Sequence, residues 1–306
     1  MTKVFIDGSA GTTGLRIHER LAERADLEIL TLADEVRKDP EARREMFKAA
    51  DIAFLCLPDA AAIEAVELAK DCNVKIIDTS TAHRTNPDWV YGFAELTGYE
   101  KIKNATRVAN PGCHASGFVA LIAPLVRAGL IAPDTALTCV SLTGYSGGGK
   151  KMIAEYEDLE LDPLLTAPRQ YGLSQKHKHL PEIKAVTGLS VTPAFCPIVA
   201  NFYSGMEVSV PVFAKDLRGT VADIRAAYAE FYDKGLVHYN AEMDEDGFLS
   251  AAAFEGRDDM EIGVFGNDER VLLVSRFDNL GKGASGAAIQ NMNIMLGVDE
   301  ATGLCV

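Results

Sequence analysis

The sequence predicts an α/β protein with a doubly wound first domain and a second domain of α+β, mainly antiparallel type. In the first third, short apolar runs alternate with amphipathic helical patterns, which is typical of a parallel sheet with helices on both faces. A glycine-rich turn follows the first apolar run. Beyond residue 113, strand-like runs dominate and few helices separate them, which favours antiparallel pairing.

The first domain is built from four apolar strands and two intervening helices. Each strand is almost entirely apolar, so we expect both faces of the sheet to be covered. The strands are predicted at 3–7, 27–33, 51–58 and 74–80, and the helices at 12–25 and 60–71.

The second domain begins with a helix and continues in strands. Helices are predicted at 114–129 and 221–235, and strands at 135–144, 205–214, 260–266 and 270–278. A last helix, 284–297, is rich in small residues and is expected to return to the first domain. We therefore divide the chain into residues 1–112 plus 280–306 and residues 113–279.

Composition and charge narrow the class of protein. The chain has 306 residues, of which 48% are hydrophobic and 24% charged, so a substantial core is expected. The net charge of −14 disfavours nucleic acid and anionic membranes as partners. We see no run long enough to span a bilayer and no export signal, and the six cysteines form no C-x-x-C pair. The expectation is a cytoplasmic protein with reduced thiols.

The turn "FIDGSAGTTG" links the first strand to the first helix. Its glycines stand at Gly8, Gly11 and Gly14, and Ser9, Thr12 and Thr13 add hydroxyl groups. Glycine permits a tight turn, and a helix N-terminus offers free N–H groups to a pyrophosphate. The pattern predicts a Rossmann-like dinucleotide-binding domain, although glycines at such a turn also serve packing alone.

The segment after the second strand bears on which dinucleotide is bound. Asp34 and Glu35 are followed by Arg37 and Lys38. An acidic residue here would contact the ribose of NAD, whereas Arg37 would accept the 2′-phosphate of NADP. A solvated charge cluster explains the same residues, so the choice between NAD and NADP stays open here.

Cys113 follows Pro111-Gly112 and directly precedes the predicted helix 114–129, where the loop becomes the helix. The positive end of the helix dipole favours the thiolate, which is the nucleophilic form of cysteine. The free N–H groups of the same turn would also bind an oxyanion. The alternative is an inert buried cysteine at the start of a helix.

"SQKHKHLPEI" places His177 and His179 two residues apart, shortly before Glu182. In an extended segment both rings point to one side, so they can serve one pocket as proton-transfer groups. The flanking lysines also fit an ordinary surface segment. A two-histidine metal site is disfavoured because no further ligand has a suitable spacing, and no metal is expected.

Two loops suit a small anionic ligand. "DTSTAHRT", 78–85, ends the fourth strand and carries Ser80 and Arg84, and arginine is a bidentate partner for carboxylate or phosphate. "TGYSGGGKK", 143–151, is a glycine-rich cationic loop that carries Ser146 and Gly147. Either loop is also compatible with an ordinary surface turn.

These motifs together resemble the N-acetyl-γ-glutamyl-phosphate reductase family of arginine biosynthesis, in its shorter form. The resemblance covers nearly the whole chain. It is carried, in order, by "FIDGSAGTTG", "DTSTAHR", "YGFAEL", "NPGC", "TGYSGGGK", "HKHLPEI" and "DNLGKGASGAAIQNMN". The family is grouped with aspartate-semialdehyde and glyceraldehyde-phosphate dehydrogenases, which share its two-domain plan.

The resemblance implies roles for individual residues. Cys113 matches the catalytic nucleophile. His177 and His179 match the region that supplies acid–base and substrate contacts, and Glu182 is implied as the catalytic group that orients them. Residues assigned to NADP(H) are Gly8, Ser9, Gly11, Thr12, Thr13, Gly14, Arg37, Ser80, Gly147, Asn279, Gly281 and Gly283. Residues assigned to the substrate are Arg84 and Ser146. One position departs from the family pattern, because His114 stands where an aromatic residue usually follows the nucleophile.

The resemblance also implies a reaction and an assembly. Cys113 would attack N-acetyl-glutamyl phosphate, release inorganic phosphate and form a thioester, which NADPH reduces to N-acetylglutamate semialdehyde. Relatives suggest a homodimer or homotetramer. Three alternatives remain: a reductase for aspartyl or aminoadipyl phosphate, a cofactor-free Cys/His hydrolase, and a regulatory protein that binds a dinucleotide without turnover.

Overall fold

The computed structural model describes residues 1–8, 11–33 and 35–306. The chain divides into two compact units, Met1–Pro111 with Ala284–Leu304, and Gly112–Gly283 with Cys305–Val306. The first unit contains a six-stranded sheet and the second a seven-stranded sheet. The predicted combination of a doubly wound domain and an α+β domain is therefore confirmed.

The elements are numbered along the chain. The strands are β1 (Thr2–Asp7), β2 (Leu27–Leu30), β3 (Ile52–Leu55), β4 (Lys75–Asp78), β5 (Val90–Tyr91), β6 (Arg107–Ala109), β7 (Thr138–Gly144), β8 (Arg169–Gln170), β9 (Ala194–Ala200), β10 (Met206–Phe213), β11 (Val237–Tyr239), β12 (Met260–Gly266) and β13 (Arg270–Phe277). The helices are α1 (Thr12–Ala22), α2 (Pro40–Ala49), α3 (Asp59–Leu68), α4 (Ala94–Thr97), α5 (Tyr99–Lys103), α6 (Cys113–Arg127), α7 (Gly149–Tyr156), α8 (Leu180–Thr187), α9 (Val221–Phe231) and α10 (Gly286–Leu296).

The sheet of the first unit is parallel throughout, with the strand order β2-β1-β3-β4-β6-β5. Alternate residues of β1 point to opposite faces, as the two-residue period of a strand requires. Val4 and Ile6 enter one core cluster, whereas Phe5 enters the other. Two buried faces explain why the strands read as continuous apolar runs.

The last helix, α10, belongs to the first of these two clusters. Its residues Ala288, Ile289 and Met292 pack with Val4 and Ile17. The return of the chain's end to the first sheet agrees with the expectation from sequence. A single π-helical turn, Gly281–Ser285, precedes α10.

Helix α2 was not among the elements predicted from sequence. Asp39 is its N-cap and accepts a hydrogen bond from the backbone N–H of Glu41 at 2.9 Å, and Pro40 occupies the first helical position. Both are ordinary start signals. Because α2 is rich in charged residues, its sequence shows no clear apolar face, and only Arg43 and Phe47 of this helix are buried.

The second sheet has the strand order β11-β12-β13-β10-β7-β9-β8. Four of its pairs are antiparallel, but β7 pairs with β9 and β11 with β12 in parallel, so the sheet is mixed. The chain between β7 and β9 contains α7 and α8, which gives the long connection that a parallel pair needs.

Helix α6 is the central helix of the second unit and is buried from His114 to Leu125. Gly117 allows a close approach to β10, because a Cβ at this position would lie 2.5 Å from Val208 Cγ2. Pro124 lacks the N–H that would bond to the carbonyl of Ala120. The hydroxyl of Tyr232 donates to that carbonyl instead, at 2.7 Å.

Candidate functional site

The glycine turn after β1 contains two glycines with different surroundings. Gly8 has a φ of +93°, and a Cβ there would lie 2.4 Å from the carbonyl oxygen of Cys56, so folding alone requires glycine. A Cβ on Gly11 would lie 3.6 Å from the carbonyl oxygen of Gly8 and 3.8 Å from that of Cys56, which is ordinary van der Waals contact. Gly11 is also the N-cap of α1, whose first turn has no acidic residue. The space and polarity at this helix end suit a phosphate group.

The other predicted residues of the turn lie on α1. Thr12 and Thr13 form the first two positions of the helix, and Gly14 is buried on it. Ser9 lies outside the described residues, and so does Asp34 after β2. Arg37 is exposed in the turn that follows.

Asp7 at the end of β1 forms a buried ion pair that the sequence did not reveal. Arg43 Nη2 lies 2.8 Å from Asp7 Oδ2, and Arg43 Nη1 lies 3.2 Å from Glu64 Oε1. Burial raises the pKa of Asp7 even though Arg43 opposes the shift. Arg43 therefore serves a structural ion pair next to the glycine turn.

The loop after β4 is organised by the buried carboxylate of Asp78. The backbone N–H of Ser80 donates to Asp78 Oδ1 at 2.9 Å, and the Ser80 hydroxyl donates to Oδ2 at 2.7 Å. His83 Nδ1 also lies 2.6 Å from Asp78 Oδ2. The ring of Trp89 stacks on the His83 imidazole, with the two ring centroids 4.1 Å apart. Ser80, predicted to contact the cofactor, is thus held rigidly by its own loop.

Arg84 fixes the same loop to the end of β6. Its Nε donates to the carbonyl of Asn110 at 2.9 Å, and Nη2 donates to the carbonyl of Thr79 at 3.0 Å. Asn110 in turn donates to the carbonyl of Ala284 at 3.0 Å. These bonds to backbone carbonyls orient the side chain predicted to bind substrate.

In the second unit, Cys113 is the first residue of α6, which begins one residue before the predicted start. Gly112 is the N-cap, and no acidic residue lies in the first turn. The backbone N–H of Gly112 donates to Glu182 Oε1 at 2.8 Å. Cys113 is partly exposed, whereas Glu182 is buried. This places a half-accessible thiol at the positive end of a helix dipole, where thiolate is favoured.

His177 and His179 lie together beside the start of α6. Their ring centroids are 4.8 Å apart, and they lie 5.8 Å and 5.6 Å from the ring of His114. Phe195 on β9 closes the group at 4.9 Å from His177. The structure thus brings both predicted acid–base histidines to the residue that follows Cys113.

The proton positions on His177 follow from its contacts. The backbone N–H of His179 donates to His177 Nδ1 at 3.3 Å, so the proton of the neutral ring is assigned to Nε2. Partial burial lowers the pKa of His177, and the charge of Lys178 adds to this effect. At neutral pH, His177 is therefore a neutral ring that presents an N–H donor.

The segment 278–283 approaches the thiol from another side. A Cβ on Gly283 would lie 3.0 Å from Cys113 Cβ, so only glycine allows this contact without displacement. The turn is held by the buried carboxylate of Asp278, which accepts bonds from Leu280 N at 2.7 Å, Gly256 N at 2.6 Å and the Ser204 hydroxyl at 3.0 Å. Gly281 lacks room for a side chain, since a Cβ would lie 2.0 Å from Arg257 O.

Asn279 connects this segment to the loop after β7. Its Nδ2 donates to Ser146 Oγ at 3.0 Å, and its Oδ1 accepts from Gly205 N at 2.9 Å. A Cβ on Gly147 would lie 3.3 Å from the same Nδ2. Ser146, Gly147 and Asn279, named separately from sequence, therefore form one group.

Sequence reasoning missed Tyr171, Phe195 and Asp278 as parts of the second-unit site. Phe195 and Tyr171 occur in segments with no recognisable motif, so no signal pointed to them. Asp278 could have been predicted from the sequence, because it begins the same "DNLGKG" segment that contains Asn279.

The described part of the chain contains neither a cluster of metal ligands nor a helix that could span a membrane. Within 1–8, 11–33 and 35–306, no three histidine, cysteine or acidic side chains are grouped as a metal site would require. Over the same ranges, no helix is both long enough and apolar enough to cross a bilayer.

Comparison with protein families matches both parts of the chain. Residues 3–105 match the model described as "Semialdehyde dehydrogenase, NAD binding domain". Residues 113–279 match the model described as "Semialdehyde dehydrogenase, dimerisation domain".

Relatives with similar sequences extend over the whole chain. An N-acetyl-gamma-glutamyl-phosphate reductase of Brucella suis is 47% identical and covers 96% of this chain and 99% of its own. Proteins of the same name from Brucella ovis and Brucella canis are 46% identical with the same coverage.

Solved structures share the fold at much lower identity. Aspartate semialdehyde dehydrogenase II of Vibrio cholerae, complexed with ASA, has a TM-score of 0.72 and 16% identity over 97% of this chain and 98% of its own. Aspartate semialdehyde dehydrogenase of Francisella tularensis has a TM-score of 0.71 and 16% identity over 97% and 100%. At this identity the likeness shows the fold alone.

Proposed function

Since the chain belongs to the N-acetyl-gamma-glutamyl-phosphate reductases, we propose that it converts N-acetyl-glutamyl phosphate to N-acetylglutamate semialdehyde through a thioester on Cys113. The observation that carries this proposal is the position of Cys113 at the first residue of α6, with the histidines packed around the next residue. A helix start supplies both thiolate stabilisation and free N–H donors.

In the first step, the Cys113 thiolate attacks the γ-carbonyl carbon and a C–S bond forms. The bond between that carbon and the phosphate oxygen breaks, and inorganic phosphate leaves with the electron pair. The N–H groups at the start of α6 stabilise the oxyanion that develops on the carbonyl oxygen. Glu182 holds the Gly112 N–H, so we place it as a residue that positions the nucleophile's turn.

In the second step the thioester carbonyl carbon would gain a hydride, supplied by the nicotinamide cofactor, and the resulting thiohemiacetal oxyanion collapses to the aldehyde as the C–S bond breaks and Cys113 leaves as the thiolate. His177 serves as a hydrogen-bond donor to that oxyanion, because its neutral ring presents Nε2–H. His179 is buried against His177 and sets the orientation of that ring. Together, the two steps return Cys113 to the thiolate form in which it started.

The matched NAD binding domain indicates a nicotinamide dinucleotide cofactor, which supplies the hydride when bound. The start of α1, with the open space at Gly11, fits its pyrophosphate. We propose NADP(H) as the physiological form, supported by Arg37 in the turn after β2. Ser80, Gly147 and the 279–283 segment stay proposed as cofactor contacts.

For the substrate we propose Arg84 and Ser146. Arg84 is held by two backbone carbonyls, and Ser146 is held by Asn279, so each polar group is pre-oriented. A fixed guanidinium suits a carboxylate or phosphate better than a mobile one.

We propose a homodimer or homotetramer as the working assembly. The matched model of residues 113–279 is described as a dimerisation domain. On β7, β9 and β13, Val140, Leu142, Ile198 and Leu272 alternate with buried residues and are only partly covered. Glu207 and Ser209 of β10 lie between them on the same face, and a half-covered sheet face of this mixed kind suits a second copy. We also propose a cytoplasmic location, which the six unpaired cysteines support.

The test runs the reaction in reverse. N-acetylglutamate semialdehyde, NADP and phosphate are mixed with wild type, Cys113→Ser and Cys196→Ser, and NADPH absorbance is followed. Cys196 is a matched control because it is also a partly exposed cysteine of the second unit.

We expect phosphate-dependent NADPH formation by wild type and Cys196→Ser and none by Cys113→Ser. Faster turnover of the aspartyl or aminoadipyl analogue would overturn the substrate assignment. Turnover by folded Cys113→Ser would overturn the thioester.

A further inference from the structure

His114 follows Cys113 directly, and both of its ring nitrogens lie within hydrogen-bond distance of a hydroxyl group. Its Nδ1 lies 2.6 Å from Ser141 Oγ, and its Nε2 lies 2.6 Å from the Tyr171 hydroxyl. Ser141 is buried on β7, and Tyr171 directly follows β8. A continuous polar chain therefore runs from the interior of the second sheet, through the imidazole, to Tyr171.

The same ring packs against the acid–base group. His177, His179 and Phe195 surround it, with centroids 5.8, 5.6 and 5.3 Å away. Any rotation of His114 would displace these side chains, because the interior is close-packed. The His114 ring thus both hydrogen-bonds to Tyr171 and packs against His177.

Burial lowers the pKa of His114 to about 3, and the charge of Lys178 and, in acid, that of protonated His177 add to this effect. A neutral imidazole donates at one nitrogen and accepts at the other. The hydroxyls of Ser141 and Tyr171 must therefore take opposite roles towards the ring, one as donor and the other as acceptor. Burial and, to a smaller degree, the charge of Cys113 raise the pKa of Tyr171, so it keeps its hydroxyl proton and lies within electrostatic reach of the thiol.

We propose that His114 is a positioning residue of the reaction, which holds the Tyr171 hydroxyl and the His177 ring in place beside Cys113. The proposal rests on the proposed function of Cys113 as the nucleophile. A phenyl ring at position 114 would fill the same space but leave the hydroxyls of Ser141 and Tyr171 without this partner. The hydrogen bonds, rather than the ring alone, are therefore the feature to test.

The experiment measures kcat and KM in the reverse reaction for His114→Phe, Tyr171→Phe and the double variant. The loss of one or two buried hydrogen bonds predicts a fall in kcat of about tenfold for each single variant, with KM changed less than about twofold. If His114 acts through Tyr171, the kcat of the double variant should be no lower than that of the less active single variant.

Two further variants separate positioning from folding. Tyr228→Phe is the matched control, because its hydroxyl donates to Leu121 on the same helix at 2.6 Å, away from this chain of bonds. We expect it to keep wild-type kcat. His114→Gln retains an amide that can bond to Tyr171, so it should recover part of the activity lost in His114→Phe. If His114→Phe does not fold, Ser141→Ala interrupts the chain at its other end and should lower kcat in the same way.

A second readout does not depend on turnover. We expect His114→Phe and Tyr171→Phe to slow alkylation of Cys113 by iodoacetamide equally and without further loss in the double variant, with Cys113→Ser as the blank. Wild-type kcat in His114→Phe, or multiplied losses in the double variant, would overturn the positioning role. An inactive wild type with the expected alkylation pattern would instead overturn only the proposed function.

Discussion

Glu182 Oε1 accepts a hydrogen bond from the backbone N–H of Gly112 at 2.8 Å, one residue before Cys113. The carboxylate lies on α8 and is buried, so the position of α8 is transmitted directly to the turn that carries the thiol. His179 is the N-cap of the same helix. One short helix therefore positions both the nucleophile's backbone and an acid–base histidine.

The first prediction concerns this bond. Glu182→Ala leaves the buried N–H of Gly112 unsatisfied, so we expect it to lower the free energy of unfolding by about 1–3 kcal/mol and to lower kcat. Glu182→Gln retains a carbonyl acceptor of the same length and should lose much less of both. Urea unfolding and steady-state kinetics measure the two effects. Equal kinetic losses in both variants would show that the charge of Glu182, and not its hydrogen bond, matters.

The second prediction concerns Pro124 in α6. Tyr232→Phe removes the hydroxyl that satisfies the Ala120 carbonyl, so we expect a loss of about 1–3 kcal/mol in the free energy of unfolding. Pro124→Ala supplies an N–H at position 124 that can bond to the same carbonyl. Added to Tyr232→Phe, it should recover part of the loss, which chemical denaturation would measure. No recovery would mean that the helix backbone around position 124 does not return to ideal geometry.

The third prediction concerns pH and His114. Its pKa is about 3 in the folded protein against an ordinary value of 6.5, so below pH 6.5 the unfolded chain binds more protons at this site. Stability from this site is fully present above pH 6.5 and is lost as pH falls towards 3, by up to about 1.4 kcal/mol per pH unit. His114→Phe should therefore show a shallower loss than wild type between pH 6.5 and 5. Urea unfolding at three pH values measures both slopes, and parallel slopes would contradict the buried neutral ring.

Local patterns were enough to predict most of the first unit. Strand–helix alternation and the glycine turn gave four of its six strands and the start of α1, whereas β5 and β6 were not predicted. In the second unit, Pro111-Gly112 gave the start of α6 to within one residue. These features depend on neighbours in sequence. The ends of the elements were predicted less accurately, since the strand expected at 27–33 ends at Leu30.

Features that depend on distant partners were not predictable in this way. The parallel pair β7–β9 depends on a crossover of about 50 residues, and the Asp7–Arg43 ion pair joins a strand to a helix that was itself missed. In the sequence, His114 stands out as a departure from the family pattern at the position after the nucleophile. Its role as a bridge required the positions of Ser141 and Tyr171, which no spacing rule supplies.

The last prediction concerns the choice between NADP and NAD. Arg37 is exposed in the turn after β2, where a guanidinium can meet a 2′-phosphate. If it does, Arg37→Ala should lower kcat/KM for NADPH by at least about tenfold, which is the size of one lost charge-assisted hydrogen bond, and leave kcat/KM for NADH unchanged. Arg270→Ala is the control, because it removes an exposed arginine whose Nη2 lies 3.3 Å from Oε2 of neighbouring Glu269. Equal losses with both cofactors would assign Arg37 to the general electrostatics of the protein, since only a contact with the 2′-phosphate discriminates between the two dinucleotides.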